Sequence, residues 1–149
     1  MPQLTGPLLA DGALIEVRIG LDRAEIQKLR FALRPVPQPK HLRALVDSGA
    51  EATCLDSTLI QSLGLAWSGP TQANVPAISG LVFASLYRAG ITILHGSGQS
   101  AMNFDVGDIA VCELALGSLG YDALIGRDIL DQLRFTYDGP ARTFALEWK

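Results

Sequence analysis

The apolar run Ala44-Leu45-Val46 ends in Asp47-Ser48-Gly49-Ala50, so a segment that reads as a buried strand delivers a carboxylate into a tight turn. This restricts the fold strongly, because a buried carboxylate is costly unless donors or a partner stand around it. Gly49 lets the backbone turn closely beside the acid, and a buried-looking segment follows. Asp11-Gly12 and Asp138-Gly139 also pair an acid with a glycine, and they read as plain turns.

The rest of the chain is a succession of short strand patterns. Residues 13–19 alternate in character and end at Gly20. Residues 21–40 fit either a continued hairpin or a short helix, after which Pro35, Pro37 and Pro39 force an extended, irregular connection. Asp56 or Ser57 caps a short helix that runs to Leu63 and stops at Gly64. Gly69-Pro70, Pro76 and Ser79-Gly80 predict a turn-rich hairpin over 69–80, with a strand over 81–94 and two more over 100–106 and 108–116. Leu124-Ile125-Gly126-Arg127-Asp128-Ile129-Leu130 reads as an apolar strand that passes a glycine and enters a short helix. Tyr137-Asp138-Gly139-Pro140 closes a last hairpin whose second arm is 142–148.

The 149 residues suffice for one core and are too few for two independent ones, so the expectation is a single domain over 1–149. Apolar residues make up 48%, charged residues 18%, and the net charge is −3, which excludes a disordered acidic tail and a basic nucleic-acid footprint. The surplus of apolar surface suits a subunit interface or an ordinary large core. No apolar run approaches the roughly 20 residues that cross a bilayer. The start, Met-Pro-Gln-Leu-Thr-Gly, lacks the charged and apolar regions of a signal peptide, and the expected location is the cytoplasm. Cys54 and Cys112 lie far apart in sequence, match no metal spacing, and are expected to be small buried apolar residues. His41 and His95 lack neighbouring ligands, so neither a metal nor another cofactor is expected.

The stretch from Ala44 through Asp47-Ser48-Gly49-Ala50-Glu51 to Thr53 resembles the active-site loop of retroviral-type aspartic proteases, and 124–130 resembles their second signature, an apolar pair followed by glycine and arginine. Pro76-Ala77-Ile78-Ser79-Gly80 is similar to the flap tip, with Ile78 at its apical aliphatic position. The three elements occur in the family's order, and residues 21–40 look like an insertion. The resemblance implies an all-β, barrel-like acid-protease lobe with a flap hairpin and one or two short helices, completed as a homodimer.

It further implies a peptidase that needs no metal or cofactor. Asp47 of each copy would share one proton and activate a water. Ser48 would hold the two loops coplanar, and Gly49 would offer its backbone to the peptide. Ala50, Glu51, Ala77, Ile78, Ser79 and Gly80 would line the bound peptide, while Gly126 and Arg127 would support the dimer, Arg127 by contacting Glu51. Glu51 replaces the more usual Asp, and Asp128 replaces the frequent Asn. An initiating Met and nine arginines against three lysines suit a cellular, bacterial member. The alternative reading is a dimer of the same fold kept as a peptide-binding or regulatory module with little hydrolysis.

Overall fold

The computed structural model describes residues 1–75 and 80–149. The described residues form β1 (Gln3–Pro7), β2 (Leu14–Gly20), α1 (Arg23–Phe31), β3 (Lys40–Val46), β4 (Cys54–Asp56), α2 (Ser57–Leu63), β5 (Ala66–Val75), β6 (Gly80–Ile93), β7 (Phe104–Leu114), β8 (Ala123–Ile125), α3 (Arg127–Leu130), β9 (Arg134–Asp138) and β10 (Thr143–Glu147). Strands β2, β3, β8, β4, β7 and β6 hydrogen-bond in that order, and β6 returns to β2, which closes a barrel. This is the β-rich lobe expected from the sequence, with β5 appended to β6 and a separate three-stranded sheet ordered β1-β10-β9. No helix among the described residues is long and apolar enough to cross a membrane.

Alternation along the strands sorts apolar side chains onto the two faces of the barrel wall. Ile15, Val17 and Ile19 of β2, Ala44 and Val46 of β3, and Ala123 and Ile125 of β8 belong to the main core. Each fully buried Ile or Leu side chain contributes about 1.5–3 kcal/mol. The intervening residues form a second cluster on the outer face. Register pairs there link Leu14 to Leu45, Leu45 to Leu124, Leu124 to Cys54, Cys54 to Cys112 and Cys112 to Leu86, an apolar belt across the whole barrel. Residues 44–46 of β3 and 123–125 of β8 are therefore buried on both faces, which is why they read as unbroken apolar runs, while Lys40, His41 and Arg43 earlier in β3 are exposed.

Local expectations mostly hold. Asp56, rather than Ser57, caps α2 by accepting from Thr58 N, and Gly64 stops it in the left-handed region at φ 66°. Residues 21–40 contain the helix alternative, α1, followed by an irregular proline segment. Two readings need correction. Gly69-Pro70 does not turn the chain but lies inside β5, where a register shift between Trp67 and Gly69 absorbs the irregularity. Among the described residues β5 pairs only with β6, an edge position at which proline is tolerated. Likewise 104–114 is one strand, not two. Gly107 takes φ 82° at a bulge that leaves Val106 unpaired between the Ile91–Gly107 and Thr92–Asp105 pairs. Strands β1 and β4 have no counterpart in the sequence reading. In β1, Gly6-Pro7 imitates a turn, and β4 is only three residues long.

Helix α1 has no fully buried residue; Ile26 and Leu29 pack against the main core while partly buried, and a polar anchor fixes its N-terminus. Asp22 is fully buried, accepts from Glu25 N at 2.9 Å, and receives Arg88 Nε at 2.6 Å. Burial opposes its ionisation, but the Glu25 amide and the Arg88 guanidinium outweigh burial and hold the carboxyl below its ordinary value of 3.8. A depressed carboxyl stabilises the fold above that ordinary value, and the contribution is lost as pH falls through the folded-state value. We expect Asp22→Ala to cost about 0.5–2 kcal/mol at neutral pH through the lost cap. The gap from wild type in thermal unfolding should close as pH is lowered below 3.8. A gap that persists undiminished in acid would show that the Asp22 charge contributes nothing.

Candidate active site

The parallel pairing of β3 with β8 matches Ala44 with Ala123, Leu45 with Leu124 and Val46 with Ile125. The residues that leave the two strands, Asp47 and Gly126, therefore emerge side by side. Asp47 N extends the ladder by donating to Ile125 O at 2.9 Å, and Ala50 N closes the turn on Asp47 O at 3.1 Å. Asp47 Oδ1 accepts from Gly49 N at 3.0 Å. Its other oxygen, Oδ2, is buried and has no hydrogen-bond partner among the described residues.

Behind the loop, Arg127 N donates to Ala50 O at 2.9 Å, and Arg127 Nη1 donates to Ser48 O at 2.9 Å and Gly49 O at 3.2 Å. The expected contact with Glu51 is replaced by these carbonyls, and no ion pair among the described residues joins Arg127 to Glu51. The physical reason is local: with Arg127 N bonded to Ala50 O, the planar guanidinium lies against a turn whose carbonyls need donors. Glu51 is exposed at the rim, Ala50 is fully buried, and Ser48 is exposed. Ala77, Ile78 and Ser79 lie outside the described residues, and Gly80 opens β6 opposite Val75.

Gly126 is required by space. A Cβ there would sit 2.5 Å from Ala52 C, 2.6 Å from Ala52 O and 2.9 Å from Thr53 N, all backbone atoms that cannot swing aside. Its N–H donates to Thr53 Oγ1 at 3.1 Å, and that fully buried hydroxyl passes its own proton to Asp128 Oδ1 at 2.7 Å. Thr53 N donates to Asp128 Oδ2 at 3.0 Å, and Ile129 N donates to Oδ1 at 2.9 Å. Every partner of Asp128 is a donor, so an acceptor-only carboxylate fits the position where Asn is frequent. Asp128 and Thr53 are the site residues whose roles the sequence reading missed. The available signal was the short distance from each signature to an interior polar residue, but nothing in the sequence joined the two.

A second buried acid sets the next loop. Asp56 Oδ1 accepts from Leu116 N at 2.7 Å and Gly117 N at 3.0 Å, and Oδ2 takes Thr58 N at 3.2 Å together with the Thr58 hydroxyl. The Thr58 hydroxyl, with the Leu116, Gly117 and Thr58 amides, holds the Asp56 carboxyl below its ordinary value against the opposing effect of burial. The loop pinned in this way leads to Tyr121, whose phenol is pushed up by burial and by the charges of Asp11 and Asp47. The Asp11-Gly12 turn is a turn as expected, with Leu9 and Gly12 exchanging hydrogen bonds. With Phe135 and Tyr137 it walls a cleft of about 280 Å³ against Asp47 and Ser48.

A barrel wall delivers an Asp-Ser-Gly turn, and Gly-Arg at the head of a short helix braces that turn from behind. The family model described as retroviral aspartyl protease matches residues 11–137, and the chain belongs to that family. Membership supports aspartic peptidase activity in general. No curated protein gives a significant match.

Removing the brace should expose its weight. Asp128→Ala leaves Thr53 N–H and its hydroxyl without acceptors, and we expect a loss of about 1–3 kcal/mol in denaturant unfolding. Gly126→Ala should fail to fold or unfold at much lower denaturant, since Ala52 backbone must shift to admit the methyl. Wild-type midpoints for both variants would contradict this account of the site.

Proposed function

We propose that the chain is an aspartic endopeptidase whose active site is completed by a second copy, so that two Asp47 carboxylates hold one water between them. One observation carries the reading: Asp47 Oδ2 is buried, yet no described residue donates to it. A buried carboxylate oxygen left in that state is costly, and the cost is relieved when a water and a second acid arrive. The chain has a single Asp-Ser/Thr-Gly, so the second acid must come from another copy. A module that only bound peptides would gain nothing from an unsatisfied acid at this point, which favours hydrolysis over the binding reading.

Two carboxylates a few ångströms apart share one proton. The ionised Asp47 removes a proton from the bound water, whose oxygen attacks the scissile carbonyl carbon. The protonated Asp47 donates its hydrogen bond to the carbonyl oxygen as negative charge develops there. Collapse of the resulting gem-diol breaks the C–N bond, and the amine nitrogen leaves with a proton from the pair. Ser48 supports the two loops across the dimer, and Gly49 presents backbone to an extended peptide. Substrate lies along the cleft with alternate side chains facing alternate walls. Ala77, Ile78, Ser79 and Gly80 close over it, with Ile78 at the tip, while Arg127 and Gly126 keep the catalytic turn in shape for pairing. Leu81 and Phe83 of β6 are exposed apolar residues next to that tip and offer surface to peptide or partner.

Asp47→Asn should fold and pair but lose cleavage, because an amide cannot take the proton from water. The measurement is digestion of an unfolded protein mixture, with mass spectrometry of the products beside wild type. Turnover retained by the variant would remove Asp47 from catalysis. For wild type, specific activity should rise with enzyme concentration around the dimer dissociation constant, since each copy supplies half of the site. Constant specific activity across a dilution that sedimentation shows to produce monomers would place a complete site in one chain.

A further inference from the structure

Cys54 and Cys112 are far apart in sequence but stand in register on the adjacent parallel strands β4 and β7. Both are free and fully buried in the outer apolar belt. Neighbouring strands lie about 4.8 Å apart, within the Cα separation of about 4.4–6.8 Å that a disulfide spans. The register therefore brings the two cysteines within the reach of a disulfide. Cys54 Sγ donates to Ala52 O at 3.4 Å, in the segment that leads out of the Asp47 turn. On its other side Cys112 is the register partner of Leu86 in β6. The proposed hydrolysis uses neither sulfur, and two apolar residues of similar size would fill the belt equally well.

We propose that Cys54 and Cys112 form a reversible oxidation site, a dithiol that a peroxide converts into an intrachain disulfide joining β4 to β7. One of the two thiols ionises as its cover opens. Its thiolate attacks one oxygen of hydrogen peroxide, the O–O bond breaks, and the departing hydroxide takes up the thiol proton as water. That cysteine is left as a sulfenic acid. The other sulfur then attacks the sulfenic sulfur, the S–S bond forms, the S–O bond breaks, and the hydroxyl leaves with the second thiol proton as a second water. Two thiols and one peroxide become one disulfide and two waters. Ala84, Leu86, Leu119 and Tyr121 pack against the belt that holds the pair, and both cysteines are fully buried, so oxidation waits on local opening of this packing.

The test exposes the native chain to hydrogen peroxide, alkylates it in denaturant, and weighs it whole and as peptides. The expected product has lost two hydrogens, links the Cys54 and Cys112 peptides, reverts with dithiothreitol, and unfolds at a higher temperature than the reduced chain. In Cys54→Ala or Cys112→Ala no intrachain disulfide can form, and dimedone should trap a sulfenic acid on the cysteine that remains. A wild-type chain that stays reduced at peroxide levels that oxidise surface thiols, that gains oxygen without losing hydrogen, or that links between chains would overturn the proposal. The wild-type peptide map decides the disulfide even where a variant fails to fold, and none of these measurements depends on peptide hydrolysis.

Discussion

Three ladder pairs between β3 and β8 carry the organisation of this chain. Parallel strands start and end at the same level, so whatever leaves one strand meets whatever leaves the other. Here Asp47 leaves β3 and Gly126-Arg127 leaves β8, and most of the hydrogen bonds that shape the Asp47 turn cross that meeting point. Sliding one strand by a residue would exchange its inner and outer faces, moving Ala44 and Val46, or Ala123 and Ile125, out of the main core. The main core and the outer belt thus lock the register, and the register in turn locks the site.

The second constraint is polar satisfaction in a tight space. Gly126 approaches Ala52 so closely that no side chain fits, and the approach places its N–H on Thr53 Oγ1. Thr53 hands the connection to Asp128, and Asp128 collects three donors without offering one. The chain of bonds is directional throughout, from amide to hydroxyl to carboxylate, which leaves each buried group paired. Asp47 Oδ2 is the contrast: beside so much satisfied polarity, it is a buried carboxylate oxygen that no described residue serves. On the proposed function, that open oxygen is where the water and the second acid arrive.

The outer belt gives the same region a different chemistry. Its row from Leu14 to Leu86 runs across the barrel beside Ala50, and it places two sulfurs among leucines. The two systems meet at Ala52–Thr53, where Cys54 Sγ donates to Ala52 O and Thr53 N donates to Asp128 Oδ2.

Much of this was legible in the residues themselves. Ala44-Leu45-Val46 before Asp47, and Leu124-Ile125 before Gly126, announce strands buried on both faces because an apolar run without alternation has no solvent side. Asp56 and Gly64 announce the ends of α2, since capping is settled within one turn of backbone. Longer-range facts left no local trace. Gly69-Pro70 looks like a turn because its propensities are those of a turn, and only its place on an edge strand makes it tolerable within β5. Arg127 points to carbonyls rather than to Glu51 because of where α3 begins against the loop. Thr53 and Asp128, like Cys54 and Cys112, are separated widely along the chain and meet only when the barrel closes. The sequence by itself determined which residues must be buried and which backbone positions must turn, because those depend on side-chain chemistry and neighbouring φ and ψ. The tertiary structure alone decided which buried groups became partners, because partnership depends on strand order and register, and these are set by the packing of the whole barrel.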